Sequence, residues 1–206
     1  MEKVSNIIPY FKAELLGIAQ EREVISWAYI VIQHLLGYNR SDCIFHADKE
    51  ITIEISDDIK QIVRDLKTQK PLQYILGKAE FYGLKFKVNK HTLIPRPETE
   101  ELVEWIINDS RQVSIAVGSK LKILDIGTGS GCIAISLAKS LDAEVFAVDI
   151  SAEALQTARQ NAKLNEVEVT FIKGDALNPE DLFKNSDFLI VNSFFLGIFF
   201  NKSTLL

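Results

Sequence analysis

The sequence is poor in cysteine and histidine, the residues on which disulfide-rich folds and transition-metal sites depend. Its two cysteines, Cys43 and Cys132, lie far apart and match no disulfide or metal-ligand pattern. His34 and His46 also have no metal-ligand spacing around them. We therefore expect two free thiols in a reducing compartment and no metal site.

Long apolar runs and an excess of positive charge are also absent. No apolar signal core follows Met1, and the mostly apolar segment Phe188 to Phe200 has 13 residues, fewer than the ~20 that a membrane span needs. A net charge of −5 provides no global positive field for nucleic acid. These absences predict a cytoplasmic protein without membrane or nucleic-acid partners, and we also expect a monomer. The ordinary composition, 47% hydrophobic and 25% charged, allows one domain or two small ones.

The most informative stretch runs from Lys122 to Asp149. An apolar strand pattern over Lys122 to Ile126 is followed at once by the glycine-rich loop Gly127 to Gly131. A helical pattern opens at Cys132, and a second buried-type strand, Glu144 to Val148, ends on Asp149. This order predicts a βαβ unit that binds a nucleotide-like ligand at the carboxyl edge of a parallel sheet.

The spacing of the glycines narrows the class of ligand that the loop can bind. They fall at positions 127, 129 and 131, whereas the third position of the dinucleotide pattern G-x-G-x-x-G/A falls on Cys132. A dehydrogenase is therefore disfavoured. The G-x-G-x-G pattern, with Asp125 just before it, resembles the S-adenosylmethionine loop of class I methyltransferases. The helix behind the loop offers backbone N–H groups to an anion, and Asp149 can accept hydrogen bonds from a ribose diol.

The first ninety residues have a different character. Helical periodicity over Ile7 to Gln20, Glu21 to Leu36 and Asp57 to Lys67 predicts a small helical bundle, with Gly37 ending the second helix. Ile18 and Ile30 are among the residues expected on the apolar faces. Alternation around Gly83 then predicts a β-hairpin over Lys78 to Val88.

A proline-containing segment joins this region to the glycine loop. It reads TLIPRPETE from Thr92 to Glu100, and its two prolines bar helix until Pro97, where an amphipathic helix can begin. We expect Gln112 to Lys120 to be a polar, irregular connection to the next strand.

These motifs together are similar to a known family. The segment PLQYILGKAEFYGLKFKVNKHTLIPRPETEELVEW, Pro71 to Trp105, followed by ILDIGTGSGCIAISLA, resembles the glutamine methyltransferases that modify bacterial peptide-chain release factors. The resemblance implies an α/β protein with a helical release-factor-recognition domain (1–75), a β-hairpin and linker (76–97) and a Rossmann-like class I methyltransferase domain (98–206). It also implies S-adenosylmethionine-dependent methylation of the side-chain amide of the glutamine in a Gly-Gly-Gln motif, with release factors as partners.

The resemblance assigns roles to individual residues. Gly127, Thr128, Gly129, Ser130 and Gly131 would hold the methionine end of the cofactor, and Asp149 would take the ribose hydroxyls. Asp175, after a strand pattern over Val169 to Lys173, would lie by the adenine with Ala176, where the family often has an aromatic residue. Arg96 and Glu100 would line the substrate mouth.

The catalytic motif departs from the family pattern. The family has Asn-Pro-Pro-Tyr after its fourth strand, whereas here the strand Asp187 to Val191 is followed by Asn192, Ser193, Phe194 and Phe195. Asn192 is the expected catalytic residue, which orients the substrate amide. Ser193 and Phe194 do not fix the backbone as prolines would, and Phe195 could pack where the tyrosine lies.

The residues after Asn192 do not resemble the family. We expect a methyltransferase domain that is incomplete after its fourth strand, and a frameshift or early stop is a hypothesis for its origin. One alternative function is therefore an inactive remnant that at most binds cofactor or release factor. Another is an amino-methyltransferase acting on nucleic acid, which the helical N-terminal region, the IPRPETE segment and the negative charge disfavour.

Overall fold

The computed structural model describes residues 2–117, 120–175, 189–192 and 197–200. The chain divides into two compact units, Met1–Leu76 and Gly77–Leu206. Among the described residues, no helix has the length and apolar character needed to cross a bilayer.

The first unit is helical. After a short 3-10 turn over Val4–Asn6, its helices are α1 (Ile7–Leu15), α2 (Glu21–Leu36), α3 (Arg40–Phe45), α4 (Ile53–Lys67) and α5 (Leu72–Leu76). The core is formed by one apolar face from each of the three longer helices: Ile7, Phe11, Leu15, Val24, Ala28, Val31, Ile59, Val63 and Leu66. Burial of these faces, rather than helix propensity alone, stabilises such short helices.

Three details of the helical prediction were wrong, and the first is that α4 begins at Ile53 rather than at Asp57. Helix α1 ends at Leu15 rather than Gln20, and Ile18 is 42% exposed in the turn that follows. Ile30 lies in α2 but is 43% exposed, so it is not on the buried face. The end of α2 agrees with the prediction: Gly37 adopts a left-handed conformation, φ 72°, which a glycine accommodates without a Cβ penalty.

The second unit begins with the predicted hairpin. Strands β1 (Lys78–Phe81) and β2 (Leu84–Lys87) pair antiparallel, with Phe81 opposite Leu84. The two turn residues, Tyr82 and Gly83, both have positive φ, 49° and 71°. Positive φ at both central residues is the requirement of a type I′ hairpin turn.

Helix α6 (Pro97–Val117) begins where the prolines predicted but extends further than expected. The prediction of an irregular connection from Gln112 onward was wrong for residues Gln112 to Val117, which belong to the helix. No proline or glycine occurs between Pro97 and Gly118, so the polar residues alone did not provide a helix-breaking signal.

A five-stranded sheet forms the rest of the unit. Its strands are β3 (Leu121–Ile126), β4 (Ala143–Asp149), β5 (Thr170–Lys173), β6 (Leu189–Asn192) and β7 (Gly197–Phe200). Their order is β5-β4-β3-β6-β7; neighbours are parallel except β6 and β7, which are antiparallel. Helices α7 (Cys132–Ser140) and α8 (Ala152–Leu164) connect the first three of these strands.

This strand order creates a switch point between β3 and β6. From β3 the chain proceeds to β4 and β5 on one side, and β6 lies on the other side of β3. The register places Asn192 beside Ile126, and Ile126 beside Val148. The ends of β3, β4 and β6 therefore meet at one edge, where ligands bind in open α/β sheets.

Candidate functional site

The glycine loop after β3 is tied to the end of β4. The amides of Gly127 and Thr128 both donate to the carbonyl oxygen of Val148, at 2.8 and 3.0 Å. The amide of Gly131 donates to the carbonyl oxygen of Thr128 at 2.8 Å, which closes the loop just before α7. The loop conformation is thus set by backbone contacts at the carboxyl edge of the sheet.

Gly131 is the tightest point of the loop. It is the N-cap of α7 with φ 81°, and a Cβ on it would lie 2.9 Å from Ile135 Cδ1 and 3.1 Å from Ala158 Cβ. Having no side chain, it cannot cap α7. The Ala134 amide in the first turn contacts the Asp125 carboxylate, so only the amides that precede it remain for an anionic ligand. A Cβ on Gly129 would meet no heavy atom nearer than 4.0 Å.

Asp149 organises the loop from the end of β4. Its Oδ2 accepts a hydrogen bond from the amide of Gly129 at 2.8 Å, and its Oδ1 accepts one from the amide of Ser151 at 2.9 Å. Ser151 in turn caps α8 through its side-chain oxygen. An ionised carboxylate has about four lone-pair sites, so Asp149 can still accept hydrogen bonds from a ligand.

Asp125 is a fully buried acid beneath the loop. Its Oδ2 accepts a hydrogen bond from Thr128 Oγ1 at 2.7 Å. Burial raises the pKa of Asp125 to about 6, while the Thr128 hydroxyl and the Ala134 amide act to lower it and the charge of Asp149 raises it. Asp125 supports the loop from below.

The two cysteines are free thiols. Burial, and then the charge of Asp125, raise the pKa of Cys132 to about 12. Because a thiolate is the reactive form, the raised pKa makes Cys132 less reactive at neutral pH than an ordinary thiol. Among the described residues, no cluster of histidine, cysteine or acidic side chains could hold a metal ion.

The structure describes three of the remaining predicted residues. Asp175 is half-buried just beyond β5, and Arg96 is exposed just before α6. The carboxylate of Glu100 accepts a hydrogen bond from the amide of Tyr82 at 2.9 Å, so it supports the hairpin turn. Ala176, Ser193, Phe194 and Phe195 lie outside the described residues.

The backbone of Asn192 lies at the end of β6, next to β3. The chain returns after four residues as β7, whose Gly197 pairs antiparallel with Asn192. Asn192 is therefore brought to the same edge as the glycine loop and Asp149.

Sequence reasoning missed a buried side chain of α8 that hydrogen-bonds to the loop. Asn161, within α8, is fully buried and donates from Nδ2 to the carbonyl oxygen of Ser130 at 2.9 Å. The available signal was a poor helix former in the interior of a helix. Its partner is 31 positions away, which no local pattern reveals.

Comparison with known proteins shows the family to which the chain belongs. A model described as a methyltransferase domain matches residues 118–206, and one described as the PrmC N-terminal domain matches residues 10–77. The release factor glutamine methyltransferase of Flavobacterium psychrophilum is 46% identical, over 92% of this chain and 66% of the relative. That of Streptococcus pneumoniae is 38% identical, over 92% and 65%. The chain belongs to the release factor glutamine methyltransferase family.

Membership of this family confirms the resemblance and the α/β class I methyltransferase fold. It also supports S-adenosylmethionine as the cofactor, since the methyltransferase domain match includes the glycine loop and Asp149. The chain spans just under two thirds of the length of these two relatives. The relative from Lactococcus lactis is 50% identical over 58% of this chain and 43% of its own length.

Proposed function

We propose that this chain binds S-adenosylmethionine and methylates the side-chain amide of the glutamine in the Gly-Gly-Gln motif of peptide-chain release factors. The observation that carries the proposal is the convergence of three elements at the switch point of the sheet. These are the glycine loop, the carboxylate of Asp149 and the end of β6 at Asn192. The names of the relatives support the choice of substrate.

The residues of the loop fit this cofactor. The uncapped first turn of α7 suits the carboxylate of its methionine part, and Gly129 leaves room for close approach to the backbone. Asp149 keeps lone pairs for the ribose hydroxyls. We assign the adenine side of the site to Asp175 and Ala176.

The chemical difficulty of the reaction lies in the acceptor. An amide nitrogen is a poor nucleophile because its lone pair is delocalised into the carbonyl group, so positioning supplies much of the rate enhancement. S-adenosylmethionine supplies an electrophilic methyl group, and its sulfur retains the electron pair of the broken S–C bond. We assign to the Asn192 side chain the role of accepting a hydrogen bond from the substrate NH₂. This nitrogen would release one proton to solvent water as the new N–C bond forms.

Three further positions would complete the acceptor site. We assign Ser193, Phe194 and Phe195 to substrate binding, with Phe195 packing against the amide. Arg96 and Glu100 would lie at the substrate mouth. Because Glu100 already accepts a hydrogen bond from the Tyr82 amide, its effect on substrate would come through the hairpin turn as well as by contact.

A second candidate is binding of the cofactor without methyl transfer. It is favoured by the antiparallel return of β7, which begins five positions after Asn192. The two prolines that fix the carbonyl after Asn192 in the family are absent here. Either candidate requires the same cofactor site.

Calorimetric titration with S-adenosylmethionine tests the cofactor site that both candidates require. We expect saturable binding by the wild-type chain and loss of binding in Asp149→Ala. Asp142→Ala is the matched control, because it removes an acid that is 93% exposed just before β4 and pairs only with Lys120 in the described structure. Absence of binding by a folded wild-type chain would refute both candidates.

Methylation of a purified release factor separates the two candidates. Mass spectrometry of the Gly-Gly-Gln peptide should show a gain of one methyl group with the wild-type chain and none with Asn192→Ala. Saturable cofactor binding without methylation would select the second candidate.

A further inference from the structure

One face of α8, continued by the C-cap residue Asn165, carries polar side chains at every fourth position from Thr157. These side chains contact the hairpin and the residues just after it. Asn89 Nδ2 donates a hydrogen bond to Thr157 Oγ1 at 2.9 Å, and Asn165 Nδ2 donates one to the carbonyl oxygen of Lys85 at 2.9 Å. Asn161, midway between Thr157 and Asn165, contacts Lys87, midway between Lys85 and Asn89.

The matched spacing has a geometric cause. Four helical residues rise about 6 Å, and two strand residues advance about 6.7 Å. Steps of four along α8 therefore stay in register with steps of two along β2, and three successive contacts can form. We call Thr157, Asn161 and Asn165 the α8 ladder.

Asn161 is the central member and has the most contacts. Its Oδ1 accepts from the Lys87 amide at 2.7 Å, and its Nδ2 donates to the Lys87 carbonyl oxygen at 2.9 Å. The side-chain amide thus pairs with both backbone groups of one strand residue, as a neighbouring strand would. The second N–H of Nδ2 donates to the carbonyl oxygen of Ser130, so both of its donors are used.

The Ser130 contact reaches the cofactor loop itself. Ser130 is followed by Gly131, where α8 also packs closely, with Ala158 Cβ 3.1 Å from the place of a Cβ on Gly131. The orientation of the Ser130–Gly131 peptide therefore depends on α8. A single buried side chain holds this peptide and strand β2 at the same time.

We propose that Asn161 is a positioning residue that couples the cofactor loop to the hairpin. Occupancy of the loop holds the Ser130 carbonyl oxygen against Asn161, and Asn161 then retains Lys87, so that strand β2 opens less often. Because coupling between sites is reciprocal, an ordered hairpin in turn favours cofactor binding. The inference rests on the proposed function, specifically on binding of S-adenosylmethionine at the loop.

Hydrogen exchange of the hairpin tests the coupling directly. In the wild-type chain, saturating S-adenosylmethionine should slow exchange in the peptide covering residues 78–88. In Asn161→Asp this effect should disappear and the cofactor affinity should fall about tenfold, the size of one or two lost hydrogen bonds. Asn161→Asp keeps an acceptor for the Lys87 amide and loses both donors.

Asn165→Ala is the matched control. Asn165 contacts the hairpin through Lys85 but makes no hydrogen bond to the glycine loop in the described structure. Its removal should speed hairpin exchange in the free protein, yet leave the cofactor-dependent slowing and the affinity nearly unchanged. A purely structural role for Asn161 would make the two variants alike.

Each outcome decides the inference. Cofactor binding with unchanged hairpin exchange in the wild-type chain would overturn the coupling and leave the proposed function standing. No binding by the folded wild-type chain would overturn both. If Asn161→Asp does not fold, unchanged hairpin exchange in the wild-type chain still overturns the coupling, and slowed exchange supports it.

Discussion

Replacing Gly131 by alanine should destabilise the second unit strongly. The backbone there has φ +81°, which costs a residue with a Cβ about 1–2 kcal/mol. The new Cβ would lie 2.9 Å from Ile135 Cδ1 and 3.1 Å from Ala158 Cβ. The Ile135 atom ends a flexible side chain and can move, whereas Ala158 Cβ is fixed to α8. Overpacking of this kind costs about 1–3 kcal/mol, so the total loss is about 2–5 kcal/mol.

Gly83→Ala separates the cost of the backbone conformation from the cost of overpacking. Gly83 has nearly the same conformation, φ +71°, but an added Cβ there meets nothing within 4 Å. Its substitution should therefore cost only the conformational part, about 1–2 kcal/mol. The difference between the two variants measures the close packing of α8 against the cofactor loop.

The two cysteines provide the assay, since each unit contains one. Cys43 lies in the first unit and Cys132 in the second. Pulsed thiol labelling across a urea series, read by peptide mass spectrometry, should show Cys132 reacting at lower urea in Gly131→Ala, with the Cys43 transition unchanged. A loss in Gly131→Ala no larger than in Gly83→Ala would refute the packing argument.

Two further predictions concern the same loop. Gly129→Ala should cost only about 1–2 kcal/mol of stability, because its Cβ meets nothing nearer than 4.0 Å, but should weaken S-adenosylmethionine binding in calorimetry by crowding the open side of the loop; unchanged affinity would contradict this reading. Asp125→Asn tests the buried acid. Its folded pKa of about 6 lies above the ordinary value of 3.8, so protonation of Asp125 stabilises the fold fully below about pH 4. This stabilisation is lost as pH rises through 6, and the free energy of unfolding falls by about 3 kcal/mol. Urea titrations between pH 4 and 8 should show this slope in the wild-type chain and a flatter profile in Asp125→Asn, whose amide can still accept from Thr128; equal slopes would rule out Asp125 as the source.

Local patterns were sufficient for the βαβ unit. The apolar strand before Gly127, the helix opening at Cys132 and the strand ending on Asp149 all appear where the residues predicted them. Such elements depend on short-range periodicity and on glycine and capping chemistry, which are readable in one stretch. Prediction failed where a boundary had no strong breaker, as at Gln112 in α6.

The site required more than local pattern. That Asp149 holds the Gly129 amide, and that Glu100 holds the hairpin turn, depends on contacts 20 and 18 positions apart. The role of Asn161 depends on partners 74 and 31 positions away. A polar residue inside a helix reveals none of these partners, because a side chain's hydrogen bonds are set by what packs against it.

By itself, the sequence determined the strand–loop–helix unit, the glycine spacing and the acid after β4, because each follows from backbone conformations that few residues allow. Only the tertiary structure decided how these parts serve one site. The order of the strands brings the ends of β3, β4 and β6 together, and α8 joins the loop to the hairpin through a buried amide. Hydrogen-bond partners distant in sequence become neighbours only when the sheet and its helices pack.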